Sequence, residues 1–432
     1  MKDPAAVLAR LAERRPALID LGLDRMKDAL ARLGDPHRRL PPVIHVAGTN
    51  GKGSTVAYIR AILEAAGNSV HVYTSPHLVR FNERIVLAGR EIDDAHLCDA
   101  LERCDRDVGP KALTFFEATT CAAFLAFAET PADYLVLEVG LGGRLDATNV
   151  IDAPLATAVA PVALDHQQFL GDTLAAIAGE KAGIFRAGAP AVVGPQTPEA
   201  MQVFEARANA VGAPFFAYGL GWNAFLEHGR LVYQDDDGLS DLDPPRLPGV
   251  HQIANAGLAV ATVKAAGLGF DDNILSAGVV SARWPARLQR LRRGPIVDFA
   301  RARFGDEAEI WLDGGHNPHA ARAVAAAMAD MEEKAPRPLV LIAGMQANKD
   351  QEGFFAAFAG VASAVFTVRA DHDGAAPPED VAAAAERAGL PARPCASIEE
   401  ALRLAVGESR APARLLICGS LYLAGEVLRE NG

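Results

Sequence analysis

Short apolar runs alternate with stretches of helical periodicity along most of the chain. In the first half, candidate strands cover residues 43–47, 69–74, 134–139, 155–161 and 191–194, and helical stretches cover residues 54–66 and 117–128. Such alternation is typical of parallel βαβ units. The first half is therefore predicted to form an α/β domain around a mostly parallel sheet.

The pattern changes near residue 215 and returns near residue 293. Residues 215–248 show short strand-like runs separated by turns, including the polar run Asp235-Asp236-Asp237-Gly238. Beyond them, candidate strands cover residues 310–313, 339–344, 364–368 and 415–418, and helical stretches cover residues 319–331, 378–388 and 398–406. We therefore predict two domains, residues 1–292 and residues 293–432, of which the second is a smaller Rossmann-like α/β domain.

Composition narrows the class of protein without indicating a reaction. Half of the residues are hydrophobic and 22% are charged, which excludes a disordered, collagen-like or coiled-coil protein. The net charge of −12 argues against binding to a nucleic-acid backbone. No apolar run approaches the roughly 20 residues of a membrane span, and residues 1–20 lack the apolar core of a signal peptide. We therefore expect a cytoplasmic enzyme that binds neither nucleic acid nor membranes.

The strongest local signal follows the first candidate strand, where the run Gly48-Thr49-Asn50-Gly51-Lys52-Gly53-Ser54-Thr55 leads into a helix. Glycines allow consecutive backbone N–H groups to converge on a phosphate, and a helix N-terminus adds partial positive charge. In such a loop, Lys52 reaches the outer phosphates and the Ser54 hydroxyl can ligate Mg²⁺. The spacing departs from the Walker A pattern GxxxxGK[ST], because Gly53 stands between Lys52 and Ser54. The first domain is therefore predicted to carry a P-loop, and the alternative is a plain glycine turn.

Polar side chains also follow the later strands, at the sheet edge where open α/β sheets bind ligands. Glu138 ends one strand and fits a Mg²⁺ ligand, although a solvated carboxylate fits the same pattern. Ser75 is equally consistent with a turn, and His166 with a satisfied core or loop histidine. Lys181, one helix later, reads by itself as a solvated charge on a helix face.

Further polar positions lie on either side of the predicted domain boundary. Asn255 is near the start of a helix, Arg287 precedes the boundary, and Asp313-Gly314-Gly315-His316-Asn317-Pro318 forms a strand-to-helix turn. Helix capping alone would explain Asn255 and the polar residues of that turn. The coincidence of so many polar motifs at strand ends favours a ligand site over a set of unrelated caps.

Taken in this order, the motifs resemble the Mur ligase superfamily, and within it the folylpolyglutamate synthase/dihydrofolate synthase family. The motifs are GTNGKGS, TSPHL, FNERI, EVGLGGRLDATN, LDH, EKAGI, HQ–N, WPAR, DGGHNP and GSLYLAG. They lie between about residue 31 and residue 422, which is nearly the whole chain. One departure is DGGHNP, since the family commonly has Ala in place of Gly314 or Gly315.

The resemblance implies where the ligands lie. ATP would contact Asn50, Gly51, Lys52, Gly53, Ser54, Asn255, Arg287 and Asp313. Mg²⁺ would be held by Ser75, Glu138 and His166, with a monovalent cation such as K⁺ as a further cofactor. A pterin–benzoate substrate would contact Phe115, Phe116, Glu117, Leu145, Asp146 and Ala147. The implied catalytic residues are Lys52, Lys181 and His316, with Lys181 N-carboxylated.

The resemblance also implies a reaction in two steps, carried out by a monomer on small-molecule substrates. A substrate carboxylate attacks the γ-phosphate of ATP to give an acyl phosphate. The amino group of L-glutamate then displaces phosphate. Closure of the second domain would exclude water and protect the acyl phosphate from hydrolysis.

Several other functions fit parts of the sequence. A Mur enzyme with a UDP-sugar substrate needs a separate N-terminal domain, for which we expect too little sequence before residue 43. A P-loop kinase or NTPase would explain residues 48–54 but not the second α/β domain with its DGGHNP motif. A nucleotide-binding module without enzymatic activity is a further alternative. Within the resembled family, a folate-only synthase is the alternative to the bifunctional enzyme. His77 and the run Arg144-Leu145-Asp146 favour the bifunctional enzyme.

Overall fold

The computed structural model describes residues 3–14, 20–109, 113–408 and 412–432. Contacts divide the chain into a first unit, Met1–Arg246 with Gln252–Arg283, and a second unit, Leu247–His251 with Trp284–Gly432. The two domains predicted above, residues 1–292 and 293–432, stay a prediction. Residues 289–291 pair with a strand of the second unit, because Gln289, Arg290 and Leu291 lie opposite Leu312, Trp311 and Ile310.

The first unit is built on a mixed sheet that is parallel over most of its width. Its strands are β1 (Val43–Ala47), β2 (Val70–Tyr73), β3 (Ile85–Leu87), β4 (Arg90–Glu91), β5 (Tyr134–Glu138), β6 (Ala156–Val159), β7 (Ala191–Val193) and β8 (Phe215–Ala217). Within the described residues, their order across the sheet is β4-β3-β2-β5-β1-β6-β7-β8. Strands β2, β5, β1, β6, β7 and β8 run parallel, while β3 and β4 are antiparallel to their neighbours.

Helices cover both faces of this sheet, which is why its central strands are apolar on both sides. The helices are α1 (Pro4–Arg14), α2 (Asp24–Arg32), α3 (Lys52–Ala65), α4 (Asp94–Val108), α5 (Phe115–Glu129), α6 (Gln167–Leu170), α7 (Leu174–Ala182), α8 (Pro198–Val211), α9 (His251–Ala265) and α10 (Asp272–Ser281). Short 3₁₀ turns cover Pro36–Arg39 and Phe81–Arg84. Every residue of β1 is buried, so β1 lies at the centre of the unit.

The predicted strands of this unit are confirmed, and β1 has the predicted bounds. Two helices begin two residues earlier than predicted, for local reasons. Helix α3 begins at Lys52 because Gly51 adopts a left-handed conformation that ends the loop. Helix α5 begins at Phe115 because Thr114 and Glu117 form a capping box at its first turn.

The region predicted to contain short strands divides between two sheets. Its first strand, β8, joins the large sheet beside β7. The next three, β9 (Trp222–Glu227), β10 (Arg230–Asp235) and β11 (Gly238–Leu242), form an antiparallel sheet in which β10 is central. Tight turns separate these strands, as expected for antiparallel neighbours joined by two-residue connections.

The second unit is a smaller α/β layer structure with its own core. Its elements are β12 (Gln289–Leu291), α11 (Pro295–Phe304), β13 (Glu309–Leu312), α12 (Pro318–Lys334), β14 (Leu339–Ala343), α13 (Gln351–Ala356), β15 (Ala362–Thr367), α14 (Pro378–Arg387), β16 (Ala392–Pro394), α15 (Ile398–Glu408), β17 (Arg414–Cys418) and α16 (Leu421–Asn431), with a 3₁₀ turn over Gly305–Glu307. The strand order is β12-β13-β17-β14-β15-β16, and only β12 is antiparallel among these described strands. The prediction of a parallel, Rossmann-like second domain is confirmed.

No helix in the described ranges has the length and apolar character needed to cross a membrane. The five cysteines are all buried within the two units. In both units, the carboxyl ends of the parallel strands carry the polar motifs found in the sequence, so each unit offers a sheet edge suited to ligands.

Candidate active site

The phosphate loop joins β1 to α3 and is anchored to the neighbouring strand connection. The backbone N–H groups of Thr49 and Asn50 donate to the carbonyl oxygen of Pro161 at 3.0 and 3.2 Å. Gly51 has φ of 87° and immediately precedes the first helical residue, Lys52. The first N–H groups of α3 therefore face the end of the loop, where a helix N-terminus favours an anion.

Asn255 lies against this loop, as predicted for a nucleotide-site residue. A Cβ placed on Gly51 would lie 2.5 Å from Asn255 Oδ1, so only glycine allows this approach. Asn255 Nδ2 donates to Gln252 Oε1 at 3.1 Å, and Gln252 Nε2 donates to the Ser54 hydroxyl at 3.4 Å. Two successive turns of α9 thus hold the loop and the first turn of α3 from one side.

Lys52, Glu138 and Ser75 meet beside the same loop. Lys52 Nζ donates to the Thr49 carbonyl at 3.4 Å and lies 4.0 Å from Glu138 Oε1. The Ser75 backbone N–H donates to Glu138 Oε2 at 3.2 Å. Glu138 is only 4% exposed, although it carries a carboxylate. A buried carboxylate at the end of β5 with a lysine beside it is a suitable oxygen ligand for a hard cation such as Mg²⁺.

His166 is the most exposed of the predicted metal ligands. It precedes α6 with φ of 52°, and its side chain is 38% exposed. Its ring Nε2 lies 3.9 Å from Asp165 Oδ1, and its backbone N–H donates to the same oxygen. Over the described ranges, no three His, Cys, Asp or Glu side chains form a group that could hold a metal ion. The set of Ser75, Glu138 and His166 therefore stays a prediction, with contact between Ser75 and Glu138 as its structural support.

Lys181 is buried beneath the phosphate loop. It lies on α7, is 3% exposed, and donates from Nζ to the Gly48 carbonyl oxygen at 2.9 Å. Burial, followed by the charge of Lys52, lowers the pKa of Lys181 to about 7. The alternative of a solvated lysine on a helix face is therefore wrong. A buried amine that is readily deprotonated is chemically unusual and reactive.

Two of the predicted substrate residues form an aromatic group at the start of α5. The Phe116 ring lies 6.3 Å from the Tyr73 ring, and the Phe115 ring meets the Phe81 ring edge-on at 6.3 Å. Both phenylalanines are half-buried, and they pack against the core between α5 and the sheet. Half-buried aromatic rings beside a ligand edge suit a flat aromatic substrate.

Glu117, also predicted to contact substrate, is held by two structural interactions. Its carboxylate accepts the Thr114 N–H at 2.7 Å in the capping box. It also accepts hydrogen bonds from Arg25 Nη2 at 3.1 Å and Nε at 3.4 Å. Sequence reasoning missed Arg25, because a single arginine in α2 carries no local signal of a partner 92 positions away.

Asp146 lies at the centre of a loop that we call the β5 loop, residues 140–149. Its Oδ2 accepts the Leu141 N–H at 2.8 Å, and its Oδ1 accepts both the N–H and the hydroxyl of Thr148 at 3.0 and 2.6 Å. Burial raises the pKa of Asp146, and these hydrogen bonds oppose that rise. Leu145 and Ala147, the other predicted substrate residues of this loop, flank Asp146 in the chain and are half-buried and buried respectively.

In the second unit, Asp313 organises the segment that carries Arg287. Asp313 Oδ2 accepts the Leu288 N–H at 2.9 Å, and Oδ1 accepts the Gly315 N–H at 2.7 Å. The residues on either side of Arg287, Ala286 and Leu288, both have left-handed backbone conformations, with φ of 53° and 43°. The Asp313 carboxylate therefore stabilises the strained backbone on either side of Arg287, whose Nη1 donates to the Ala286 carbonyl oxygen at 3.0 Å.

His316 belongs to the turn between β13 and α12. Its Nδ1 lies 3.2 Å from the Gly314 carbonyl oxygen, and its side chain is half-buried. Asn317 accepts the Ala320 N–H at 2.9 Å and so caps α12. The capping interpretation is thus correct for Asn317, and the roles predicted for Asp313 and His316 of this turn stay predictions.

Comparison with known proteins identifies the family. Residues 46–263 match the Mur ligase middle domain, and residues 299–421 match the Mur ligase glutamate ligase domain. A dihydrofolate synthase/folylpolyglutamate synthase from Escherichia coli is 35% identical over 425 residues, which cover 98% of this chain and 94% of that protein.

Solved structures agree with this sequence relationship. E. coli FolC in complex with DHPP and ADP matches with a TM-score of 0.88 and 32% identity, covering 99% of this chain and 97% of that chain. A bifunctional folylpolyglutamate synthase/dihydrofolate synthase with Mn, AMPPNP and L-glutamate bound matches with a TM-score of 0.86 and 31% identity, covering 99% and 97%. The chain therefore belongs to the dihydrofolate synthase/folylpolyglutamate synthase family of Mur ligases, which are ATP-dependent ligases.

Proposed function

We propose that this chain adds L-glutamate to dihydropteroate and to tetrahydrofolate, with ATP converted to ADP and phosphate. The observation that carries the proposal is the convergence of Lys52, Glu138 and Lys181 on one phosphate loop. The aromatic pair Phe115 and Phe116 begins the helix beside that sheet edge and suits a pterin ring. Relatives of this family bind ADP, AMPPNP, Mn and L-glutamate, which supports the same set of ligands here.

The reaction we propose has two balanced steps. A carboxylate oxygen of the substrate forms a bond to the γ-phosphorus of ATP, and the bond from that phosphorus to ADP breaks. The glutamate nitrogen then forms a bond to the acyl carbon, phosphate leaves, and the nitrogen loses a proton. The Lys52 ammonium neutralises charge on the transferring phosphoryl group, which is where most of the catalysis of such transfers resides.

A divalent cation bound with the nucleotide would add positive charge at the phosphates, and Ser75, Glu138 and His166 are the residues we propose to hold it. Glu138 supplies the carboxylate, which hard cations prefer. Lys52 Nζ lies 4.0 Å from Glu138 Oε1, so the divalent cation and the Lys52 ammonium would both interact with this carboxylate. We assign Asn50, Gly51, Gly53, Ser54, Asn255, Arg287 and Asp313 to the nucleotide and His316 to catalysis, on the family motifs and the contacts above.

We further propose that Lys181 is N-carboxylated. The amine is buried with a pKa of about 7, so about half of it would be neutral at pH 7, compared with about one in three thousand for an ordinary lysine. The neutral nitrogen attacks CO₂, forms an N–C bond and loses a proton. The carbamate keeps one N–H, which can still donate to the Gly48 carbonyl. Its negative charge would be attracted to Lys52, which repels the protonated amine.

We propose that the chain has both dihydrofolate synthase and folylpolyglutamate synthase activity. The alternative is folylpolyglutamate synthase activity alone. His77 accepts a hydrogen bond from Arg84 Nε at 2.9 Å and packs against the Phe81 ring, so TSPHL and FNERI form one group beside Phe115. That group and the β5 loop resemble the bifunctional members of the family. From the same resemblance we propose a cytoplasmic monomer that uses K⁺ as a monovalent cation.

Product analysis tests the function and separates its alternatives. Purified protein is incubated with ATP, Mg²⁺, L-glutamate and either dihydropteroate or tetrahydrofolate, and the masses of the products are determined by mass spectrometry. We expect a mass increase of one glutamate residue in both reactions, with ADP release that depends on glutamate. Product from tetrahydrofolate alone would establish the folate-only alternative, and product from neither would overturn the proposed function.

Replacing Glu138 by Gln is expected to raise the Mg²⁺ concentration needed for half-maximal activity by about tenfold or more, because a neutral amide binds a hard cation more weakly than a carboxylate does. Glu129→Gln is the matched control, since Glu129 pairs with Arg103 on the surface. A Mg²⁺ titration of glutamate-dependent ADP release measures both. An unchanged titration for Glu138→Gln would make Glu138 a structural residue.

Gly51→Ala is expected to weaken ATP binding by about tenfold or more, because the new Cβ would clash with Asn255 Oδ1 and displace the loop. Gly67→Ala is a close control, since Gly67 has a similar backbone conformation, with φ of 85°, and a Cβ added there would meet no other atom within 4 Å. Calorimetric titration with a non-hydrolysable ATP analogue measures the two affinities. Equal affinities for the two variants would show that ATP binding does not require the close packing of Asn255 against Gly51.

A further inference from the structure

A histidine lies in the middle of a fully buried strand, β1. His45 is the third residue of β1, is 1% exposed, and has apolar neighbours on both sides in the sequence Val-Ile-His-Val-Ala. Burial lowers the pKa of His45 to about 3, so the ring is neutral. A buried polar side chain costs free energy unless it is hydrogen-bonded.

The partner of His45 is Thr148, in the β5 loop. His45 Nε2 lies 2.9 Å from Thr148 Oγ1, and the two residues are 103 positions apart. The single hydroxyl hydrogen of Thr148 is directed to Asp146 Oδ1, at 2.6 Å. Thr148 Oγ1 must therefore accept from His45, which fixes the ring as the tautomer that carries its hydrogen on Nε2.

Asp146 in turn links the two ends of the β5 loop. Its Oδ2 accepts the N–H of Leu141, near the start of the loop, and its Oδ1 accepts the N–H of Thr148, near the end. The chain of hydrogen bonds thus runs from the central strand, through one hydroxyl, to the carboxylate that holds the loop together. Asp146 lies between Leu145 and Ala147, which are assigned above to the pterin substrate.

We propose that His45 and Thr148 are positioning residues of the pterin pocket, because they tie Asp146, and with it the β5 loop, to the strand that ends in the phosphate loop. This inference rests on the proposed function. It assigns no chemical step to either residue. Strand β1 would then serve two ligands, holding the phosphate loop at its end and the substrate loop from its centre.

Two pairs of variants separate the hydrogen bond from the volume of the side chain. Thr148→Val and His45→Met remove the donor or acceptor with little change in volume. Thr148→Ser keeps the hydroxyl. His45→Gln keeps an N–H at the position of Nε2. Each variant is assayed for the KM of dihydropteroate, the KM of ATP, kcat and the thermal unfolding midpoint.

We expect Thr148→Val and His45→Met to raise the KM of dihydropteroate by about tenfold, and the double variant to raise it no further, since the two residues act in one chain. The KM of ATP should stay within about twofold of wild type, and Thr148→Ser and His45→Gln should restore the KM of dihydropteroate. If His45 and Thr148 only stabilise the fold, their replacement would lower the unfolding midpoint and change the KM of both dihydropteroate and ATP. Thr148→Ser and His45→Gln would then not restore the KM of dihydropteroate alone.

The outcomes are distinct. If wild type releases ADP with dihydropteroate and Thr148→Val and His45→Met have its KM for dihydropteroate, the positioning inference is wrong and the proposed function stands. Equal rises in both KM values would also overturn the inference, because they indicate distortion of β1. If wild type itself is inactive with dihydropteroate, the proposed function fails and the inference fails with it.

Discussion

Lys52→Ala is expected to lower glutamate-dependent ADP release by on the order of 10²-fold or more, the scale found when one charge-stabilising contact is removed from a transition state. Lys52 is the only side-chain cation of the phosphate loop in the run of residues 48–55. Its Nζ lies 3.4 Å from the Thr49 carbonyl oxygen and 4.0 Å from Glu138 Oε1, next to the loop that we propose binds the phosphates. Steady-state kinetics with saturating dihydropteroate and glutamate measure the loss.

Two further variants serve as controls for the loss of activity in Lys52→Ala. Lys27→Ala removes a solvent-exposed lysine from α2 and should leave kinetics unchanged. Lys52→Arg keeps the positive charge and should lose less activity than Lys52→Ala if charge is the main contribution. Turnover of Lys52→Ala within a few-fold of wild type would refute the role of Lys52 in phosphoryl transfer.

Lys181→Ala is expected to lose most of the activity and to regain part of it when short carboxylates are added. The substitution removes the buried side chain below Gly48 and leaves space in which a small anion can replace the carbamate. Lys334→Ala is the control, since Lys334 forms an exposed pair with Asp330 on α12. Activity is titrated with formate, acetate and propionate for both variants. Full activity of Lys181→Ala without added carboxylate would refute the carbamate.

A second measurement detects the modification itself. Wild type incubated with ¹³C-bicarbonate should show a carbamate carbon signal by NMR, and Lys181→Ala should lack it. The sign of the pH dependence follows from the pKa of about 7: the neutral amine that attacks CO₂ increases as the pH rises through 7 and disappears below it. Carbamate occupancy at fixed dissolved CO₂ should therefore fall between pH 8 and pH 6. An unmodified amine at every pH would exclude N-carboxylation.

The alternation of strands and helices along the chain and the place of the phosphate loop were predictable from sequence. Continuous apolar runs mark strands buried on both faces, and a glycine-rich run between such a strand and a helix has few other structural uses. The predicted bounds of β1 agree with the structure, and Glu138 ends β5 as predicted. Lys52 was predicted in the loop and is the first residue of α3. The family motifs are equally local, so they were recognisable without coordinates.

The burial of Lys181 was beyond the sequence. On α7 it follows Glu180 and precedes Ala182, and that local pattern fits a solvated lysine just as well. Its contact with Gly48 joins residues 133 positions apart, so it depends on how α7 packs under the loop. Burial and the charge of Lys52, which together lower the pKa of the amine, exist only in the folded chain.

The same distinction applies to the hydrogen bonds that hold the proposed substrate residues. The local sequence does not indicate the hydrogen bonds of Arg25 with Glu117 or of Thr148 with His45 and Asp146. The chain by itself determined its longer buried strands, several of its helices and its phosphate loop, because those depend on periodicity and on glycine conformation over a few neighbouring positions. The short strands β3, β4, β12 and β16 were not among the predicted strands. Tertiary structure alone decided which polar side chains meet and which amine has a lowered pKa, because hydrogen bonding and desolvation depend on groups brought together from distant parts of the chain.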